Sequence, residues 1–189
     1  MFSKYTYDAQ DLTNRNLLPC AEHWFGTDKF GRDLFVRVMY GGRISLAVGF
    51  AAALINLFIG VIWGGVCGYI GGKLDMVLMR IVDIIYSVPT LLYVILIMLV
   101  FGSNVFSVLL AICISSWVGL ARQVRAQVMA QKQMEYSLAA RVIGASDSRI
   151  LFKHLIKNSM GPIIVNTTLM VPSAIFTEAF LSFVGIGIS

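Results

Sequence analysis

The sequence predicts an all-α protein, a bundle of several membrane-spanning helices. Of its 189 residues 58% are hydrophobic and only 13% are charged, and the mean hydropathy is +0.79. This composition is typical of multi-spanning membrane proteins and unusual for a soluble domain of the same length. No charged residue occurs in Ile44–Gly72, Ile84–Ala121 or Asn158–Thr177. These runs are continuously apolar, without the alternation of a membrane β-barrel, so helices are the expected spanning elements.

The lengths of the charge-free runs predict four spans, because about 20 helical residues cross the hydrocarbon core of a bilayer. Ile44–Gly72 supplies one span, whereas Ile84–Ala121 is too long for one and is divided at Phe101–Asn104, which reads FGSN. The last span is expected to carry Pro162 in its first turn and to be kinked by Pro172. We therefore expect spans at about residues 46–70, 86–101, 105–121 and 160–180, within a membrane domain of residues 44–189.

The distribution of lysine and arginine predicts the orientation of these spans. Segments 73–85 and 122–159 carry basic residues, whereas the turn at 102–104 carries none. Cytoplasmic loops are enriched in basic residues, so we expect both segments in the cytoplasm and the turn outside. The polar segment 1–43 then lies outside the cytoplasm, although it carries six basic residues and follows no apolar helix. This conflict predicts a further spanning helix ahead of residue 1.

The sequence shows no pattern for covalent chemistry, a bound metal ion or a nucleotide. Its net charge of +5 comes from segments between apolar spans and not from a basic, aromatic face, so no nucleic-acid partner is expected. The three cysteines are isolated and the two histidines lack ligand-spaced partners. The segment GYIGGKL fails the phosphate-loop pattern, since Leu74 stands where serine or threonine is needed. We expect a protein that is not an enzyme and that binds no cofactor itself.

Glycines recur every four residues near the end of the first span, and a stripe at this spacing lies along one helix face. Such a stripe lets the backbone of another helix approach closely. We therefore expect close helix packing at Gly60, Gly64, Gly68 and Gly72.

The segment Glu135–Asn158 combines charged residues with signals for two short helices. Gly144 is expected to end the first helix and Ser146 to cap the second, with Asp147 favoured in its first turn by the helix dipole. The small residues at 144–146 would form the tip of a helical hairpin that fits a groove on a partner protein. Alternatively, the segment is a solvated basic loop that only sets the topology.

Two segments resemble the C-type permease subunits of oligopeptide and dipeptide ABC importers. His23–Phe50 reads HWFGTDKFGRDLFVRVMYGGRISLAVGF and is similar to the family pattern GTDxxGRDxxxRxxxGxRxSLxVG. Glu135–Asn158 is similar to the family's cytoplasmic EAA loop, although Leu138 replaces its glutamate and Lys157 replaces a proline. A third match is EAFLSFVGIG, Glu178–Gly187. The matching positions include Gly26, Thr27, Asp28, Gly31, Arg32 and Asp33 in the first pattern, and Glu135, Tyr136, Ala139, Ala140, Gly144, Ala145 and Ser146 in the second.

The resemblance implies the type I transmembrane fold of ABC importers, with about four spans of a six-span subunit, so the sequence is expected to be truncated at both ends. It also implies a permease subunit of the bacterial plasma membrane that imports oligopeptides or dipeptides, with nickel or glutathione as alternative substrates. The implied partners are a paralogous permease, two ATP-binding subunits that use the ATP, an extracytoplasmic peptide-binding protein and the peptide. The EAA loop, including Asp147, would couple the ATPases to the spans.

Glu178 is the one acidic residue of the predicted fourth span and lies near its outer end. A carboxylate that faces lipid is costly, so Glu178 is expected to face a pathway or water, as part of an outer gate or as a plain interfacial carboxylate. A secondary transporter or channel is the alternative of a different class. Such proteins usually carry ionisable residues at mid-membrane, where these spans are apolar.

Overall fold

The computed structural model of the chain describes residues 4–185, and the regular structure of this part is helical. Its one extended pairing is an isolated bridge between Thr27 and Asp33. The all-α prediction is therefore confirmed, while the end of the Glu178–Gly187 match lies outside the described residues. In the described part six helices follow one another: α1 (Leu34–Ile70), α2 (Gly72–Ser87), α3 (Thr90–Phe101), α4 (Val105–Lys132), α5 (Glu135–Val142) and α6 (Asp147–Phe183).

The chain divides into two compact units, Met1–Ala47 and Val48–Ser189. In the first unit the GTDxxGRD segment folds around the carboxylate of Asp28. This carboxylate accepts the backbone N–H groups of Phe30 and Arg32 at 2.8 and 3.0 Å. It also accepts guanidinium hydrogens of Arg32 and Arg37 at 2.8 and 2.7 Å. Desolvation raises the pKa of Asp28, but the hydrogen bonds and the charge of Arg32 outweigh it and lower that pKa to about 2.

Two glycines and a second aspartate complete this unit. Gly26 and Gly31 have φ of +75° and +72°, and a Cβ on Gly31 would lie 1.7 Å from a backbone carbonyl oxygen. Asp33 caps α1, because its Oδ1 accepts the N–H of Val36 at 2.9 Å. Its Oδ2 lies 2.7 Å from Nδ1 of the buried His23. The residues of the first sequence pattern therefore hold together the fold of their own unit.

The membrane-spanning helices only partly match the predicted ones. Three helices, α1, α4 and α6, are long and apolar enough to cross a membrane. The predicted span at 86–101 does not form one straight helix, because α2 and α3 meet there at a bend of 80°; together the two helices are long and apolar enough for a broken span or a re-entrant loop. The bend falls at Val88, which the following Pro89 restricts to an extended conformation. With 12 residues α3 is about 18 Å long, shorter than the hydrocarbon core of about 30 Å.

The segments predicted as charged loops are largely helical. Segment 73–85 lies inside α2. Segment 122–159 is not one loop, because α4 continues to Lys132 and α6 runs from Asp147 through Met160 without interruption. The prediction placed the end of each span at the first charged residue. The arginine, glutamine and alanine residues at the end of α4 favour helix, however, so this helix extends beyond the apolar run. Pro162 therefore lies inside α6 and not in its first turn, and the helix also continues through Pro172.

Three of the four glycines expected at a helix contact pack against α4. A Cβ on Gly60 would lie 3.0 Å from the side chain of Leu120, and one on Gly64 would lie 2.2 Å from the carbonyl oxygen of Ala121. On Gly68 the corresponding distance to the carbonyl oxygen of Arg125 is 2.7 Å. The prediction is wrong for Gly72, because α1 ends at Ile70 and Gly72 has no such neighbour within 4 Å.

Candidate functional site

A helical hairpin, formed by α5 and the first turns of α6 (residues 135–156, called the hairpin below), is the candidate site. Gly144 ends α5 with φ of +82°, and the turn that it forms is a Schellman motif. In this motif the N–H of Gly144 donates to Arg141 at 3.1 Å and that of Ala145 to Ala140 at 3.0 Å. Ser146 then caps α6, because its hydroxyl accepts the N–H of Arg149 at 3.4 Å. The predicted helix stop and helix cap are both confirmed.

The helix geometry of α6 directly after its cap residue Ser146 also indicates a specialised segment. The helix starts with the α-helical turn Asp147–Arg149, is π-helical over Ile150–Ile156 and is α-helical again over Lys157–Phe183. The π-helical part holds four buried apolar side chains of the hairpin: Ile150, Leu151, Leu155 and Ile156. Short π-helical insertions occur frequently at functional sites.

The hairpin is tied to the ends of two long helices through Tyr69, the buried residue near the end of α1. Its hydroxyl donates to Asp147 across 2.5 Å. The Nζ of Lys132, the last residue of α4, donates to the backbone carbonyl of Tyr69 and joins α4 to α1. The hydroxyl of Tyr136 in α5 donates to Gln131 of α4 at 2.6 Å, so the hairpin is positioned by α1 and α4 and not only by its own turn.

Three exposed apolar residues in or directly after α5 are called the apolar tip below: Leu138, Val142 and Ile143. These residues are 52%, 86% and 84% exposed, and Phe152 in α6 is a further exposed apolar residue of the hairpin. Leu138 and Val142 are four residues apart and share one face of α5. Leu138, which stands where the family's glutamate is expected, therefore enlarges the tip. Sequence reasoning did not identify Val142 and Ile143, although two apolar residues directly before a helix-stopping glycine were the available signal.

The predicted coupling residues do not share one surface. Tyr136, Ala140 and Ala145 are buried or half-buried against the bundle, and Tyr136 also donates to Gln131 at 2.6 Å. The small size of Ala140 and Ala145 thus serves packing within the chain. The exposed members of the set are Glu135, Ala139, Gly144, Ser146 and Asp147.

Two ion pairs join α2 to α4 near the same end of the bundle. The guanidinium of Arg125 donates to both carboxylate oxygens of Asp75 at 2.6 Å, and Asp75 is only 8% exposed. Arg122 donates to Asp83 at 2.7 Å in a more exposed pair. Sequence reasoning treated these residues as loop charges, and it missed that acids of α2 align with arginines of α4.

Glu178 lies in α6, five residues before the helix ends at Phe183, and is half-buried. The hydroxyl of Ser182 donates to its Oε1 at 3.4 Å. It is far along α6 from the hairpin and belongs to a different part of the molecule.

Comparison with known proteins assigns the chain to a family. Residues 56–189 match the family described as binding-protein-dependent transport system inner membrane component. The oligopeptide transport system permease protein OppC of Bacillus subtilis is 51% identical over 188 residues, which cover 100% of this chain and 62% of that protein.

Two other relatives are similar to the chain over nearly its whole length. The dipeptide transport system permease protein DppC of Bacillus subtilis is 52% identical over 98% of this chain and 58% of its own length. OppC of Escherichia coli K12 is 45% identical over 99% of the chain and 63% of its own length. The chain thus spans about three fifths of the length of these curated relatives. The chain belongs to the family of binding-protein-dependent transport system inner membrane components, as a multi-pass protein of the bacterial inner membrane.

Proposed function

We propose that this chain is a transmembrane permease subunit of an ATP-driven importer of oligopeptides or dipeptides, and that its hairpin docks on a separate ATPase subunit. The observation that carries the docking is the apolar tip of a hairpin that is hydrogen-bonded to two long helices, to α1 through Asp147 and to α4 through Tyr136. A loop that only set the topology would have no need to expose Val142 and Ile143. The oligopeptide and dipeptide transport permeases among the relatives support the substrate class.

The continuity of α6 supports a mechanism for the coupling. This helix begins in the hairpin and has 37 residues, so its far end lies about 55 Å away. A displacement of the hairpin by an ATPase would therefore move α6 as a rigid body. In this proposal two ATPase subunits bind and hydrolyse the ATP, and the bundle switches between two packed arrangements.

The remaining partners follow from the same proposal. A paralogous permease completes the pathway, and an extracytoplasmic binding protein delivers the peptide. The dependence on a binding protein in the family description supports the second of these partners. The chain itself binds no cofactor. The half-buried Glu178 near the end of α6 would face the pathway on the outer side, because a carboxylate that faced lipid would be costly.

The docking is tested in the whole importer, reconstituted in liposomes with its full-length permeases, ATPases and binding protein. The double substitution Val142→Asp and Ile143→Asp should reduce both co-purification of the ATPase and peptide-stimulated ATP hydrolysis by about tenfold or more, because it charges an apolar interface. The matched control, Val142→Ile with Ile143→Leu, keeps the tip apolar and should behave as the unchanged protein.

Two results would contradict the proposal. If the charged double variant keeps full peptide-stimulated hydrolysis, the tip is not the docking surface and the hairpin is a topology loop. If peptide uptake by the unchanged complex persists without ATPase subunits, the protein is a secondary transporter.

A further inference from the structure

The helix α2 crosses the end of α4 and does not run beside it. Its two acids, Asp75 and Asp83, are eight residues apart, which is about 12 Å along a helix. Their partners in α4, Arg125 and Arg122, are three residues apart, which is about 4.5 Å. α2 therefore lies at a steep angle to α4, in agreement with its bend of 80° relative to α3, the helix that packs beside α4.

The crossing lies at the depth where the apolar part of α4 ends. Arg122 is the first charged residue of this helix and lies about 26 Å from its start at Val105. Arg125 lies about 30 Å from that start, and the hydrocarbon core of a bilayer is about 30 Å thick. One residue separates α2 from α1 and two residues separate it from α3, so both ends of α2 are held close to apolar helices. These distances put α2 at the surface of the hydrocarbon core.

The two sides of α2 differ in burial. Asp75 and Val82, seven residues apart, are buried on the side that packs against the bundle. Another side exposes three large apolar residues, Met76, Val77 and Ile84, which are 68%, 61% and 60% exposed. Their spacing of seven and eight residues along the helix puts them on one face. Apolar residues exposed on a helix at this depth contact the boundary between headgroups and acyl chains.

The charges of α2 are distributed in a similar way. Asp75 and Asp83 are each paired with an arginine of α4. The two basic residues, Lys73 and Arg80, are exposed and form no ion pair within the described part of the chain. They are seven residues apart and thus share the face of the exposed apolar residues. This face therefore combines apolar surface with two positive charges that the chain does not neutralise.

Such a combination matches the chemistry of an anionic phospholipid. The long side chains of Lys73 and Arg80 can lie along apolar surface while their charged ends reach a phosphate. Anionic lipids are abundant in the cytoplasmic leaflet, where the basic residues near α2 are expected. Tyr86, 66% exposed at the other end of α2, is of a type enriched at membrane interfaces. A lipid reaches this face from within the bilayer, whereas a soluble partner would first have to displace lipid.

We propose that the exposed face of α2 binds anionic phospholipids of the cytoplasmic leaflet. Lys73 and Arg80 pair with the phosphate groups, and Met76, Val77 and Ile84 contact the acyl chains. The inference is independent of the transported substrate and assigns a ligand to a helix outside the hairpin.

The lipid contact is tested with a reporter on this face, in the importer assembled from its full-length subunits. The complex is reconstituted in vesicles of phosphatidylcholine and phosphatidylglycerol, with Val77→Cys as its one reactive cysteine and a fluorophore attached there. Phospholipids with brominated acyl chains should quench the emission, because bromine quenches only at close range. The same fluorophore on Ser148→Cys, at an exposed position of the hairpin, is the control and should not be quenched.

The role of the charges is tested with the same reporter. Brominated phosphatidylglycerol should quench it at a lower mole fraction than brominated phosphatidylcholine. Lys73→Gln with Arg80→Gln should reduce this preference by about thirtyfold, since each basic residue near an anionic surface contributes about fivefold. The exchange of Lys73→Arg with Arg80→Lys preserves both charges and should retain most of the preference. Both residues are exposed, so both variants should assemble with the ATPase subunits.

Two results would overturn the inference. If neither brominated lipid quenches the reporter at position 77, water or another protein covers this face of α2. If both lipids quench it equally in the complex with Lys73 and Arg80 unchanged, lipid covers the face without selection of an anionic headgroup. The proposed function stands in either case, because peptide import is measured separately.

Discussion

The phenol of Tyr69, at the end of α1, donates a hydrogen bond of 2.5 Å to the carboxylate of Asp147, in the first turn of α6. The two residues are 78 positions apart in the sequence and join the end of one membrane span to the start of another. Asp147 thus has two roles at once, since it favours the start of α6 through the helix dipole and anchors the hairpin. A displacement of the hairpin would therefore displace the end of α1 as well as α6.

Tyr69→Phe should loosen the hairpin, because it removes this hydrogen bond and keeps the buried ring. We expect a loss of about 1 kcal/mol in the stability of the complex, since Asp147 is exposed and its carboxylate can be solvated by water. Hydrogen exchange should become faster at residues 144–150. Tyr93→Phe, whose hydroxyl donates to Ile85 and not to the hairpin, is the control. Equal exchange in the two variants would show that the bond does not position the hairpin.

Gly64→Ala should destabilise the bundle by about 1–3 kcal/mol through overpacking. The new Cβ would meet the carbonyl oxygen of Ala121 at 2.2 Å and the side chain of Val124 at 2.9 Å, and the backbone contact cannot be relieved by a rotamer change. Thermal unfolding of the purified complex measures the effect. Gly161→Ala has nothing within 4 Å and should be neutral or slightly stabilising, because alanine favours helix over glycine. A Gly64→Ala complex as stable as the control would contradict the packing.

Asp75→Asn should destabilise the chain more than Asp83→Asn does. The first substitution leaves the half-buried Arg125 without its bidentate partner, which we expect to cost about 1–3 kcal/mol. The second breaks the more exposed pair with Arg122, a kind of pair that contributes about 0–1 kcal/mol. Comparison of the two unfolding midpoints checks this order. The reverse order would show that burial does not set the importance of these pairs.

Acid should destabilise the fold of the first unit between about pH 4 and about pH 2. The pKa of folded Asp28 is about 2, below the ordinary value of 3.8, so the ionised carboxylate stabilises the fold above about pH 4. This stabilisation is lost as the pH falls from there through about 2. Pepsin digestion across this range should cut segment 4–47 increasingly as the pH falls. Asp28→Asn should be cut throughout the range, and its resistance at pH 4 would contradict the role of the carboxylate.

The orientation of the bundle is tested by cysteine labelling in cells, in a variant that lacks Cys20, Cys67 and Cys113. Ser103→Cys, in the exposed turn between α3 and α4, should react with a membrane-impermeant reagent added outside. Ser148→Cys, in the first turn of α6, should react only after the membrane is opened, because the basic hairpin is expected in the cytoplasm. Labelling of Ser148→Cys in intact cells would contradict the predicted cytoplasmic location of the hairpin.

Features with a local cause could be predicted from the sequence. Gly144 ends α5 and Ser146 caps α6 because left-handed backbone and side-chain capping depend on a few neighbouring residues. The apolar runs likewise predicted α1, α4 and α6, the three helices that are long and apolar enough to cross a membrane. The predicted ends of these helices were less reliable, since a loss of hydropathy marks the edge of the bilayer and not the end of α4.

The candidate site was predicted only in part, because the face that a helix buries depends on its neighbours. The sequence predicted Ala145 at an open tip and Ala140 among the coupling residues, but both pack against the bundle, and Val142 and Ile143 are exposed instead. Nothing in the sequence around Asp75 indicates that it pairs with Arg125, which lies 50 positions away. Such pairs form between residues that are distant in the sequence.

The sequence by itself determined that the protein is a helical membrane bundle with a capped hairpin between two spans, because hydropathy, helix caps and helix stops act over short stretches of chain. Only the tertiary structure decided the contact of Tyr69 with Asp147, the close approach of Gly64 to α4 and the course of α2 across α4. These features arise where separate helices meet, and their distances depend on how the whole bundle packs.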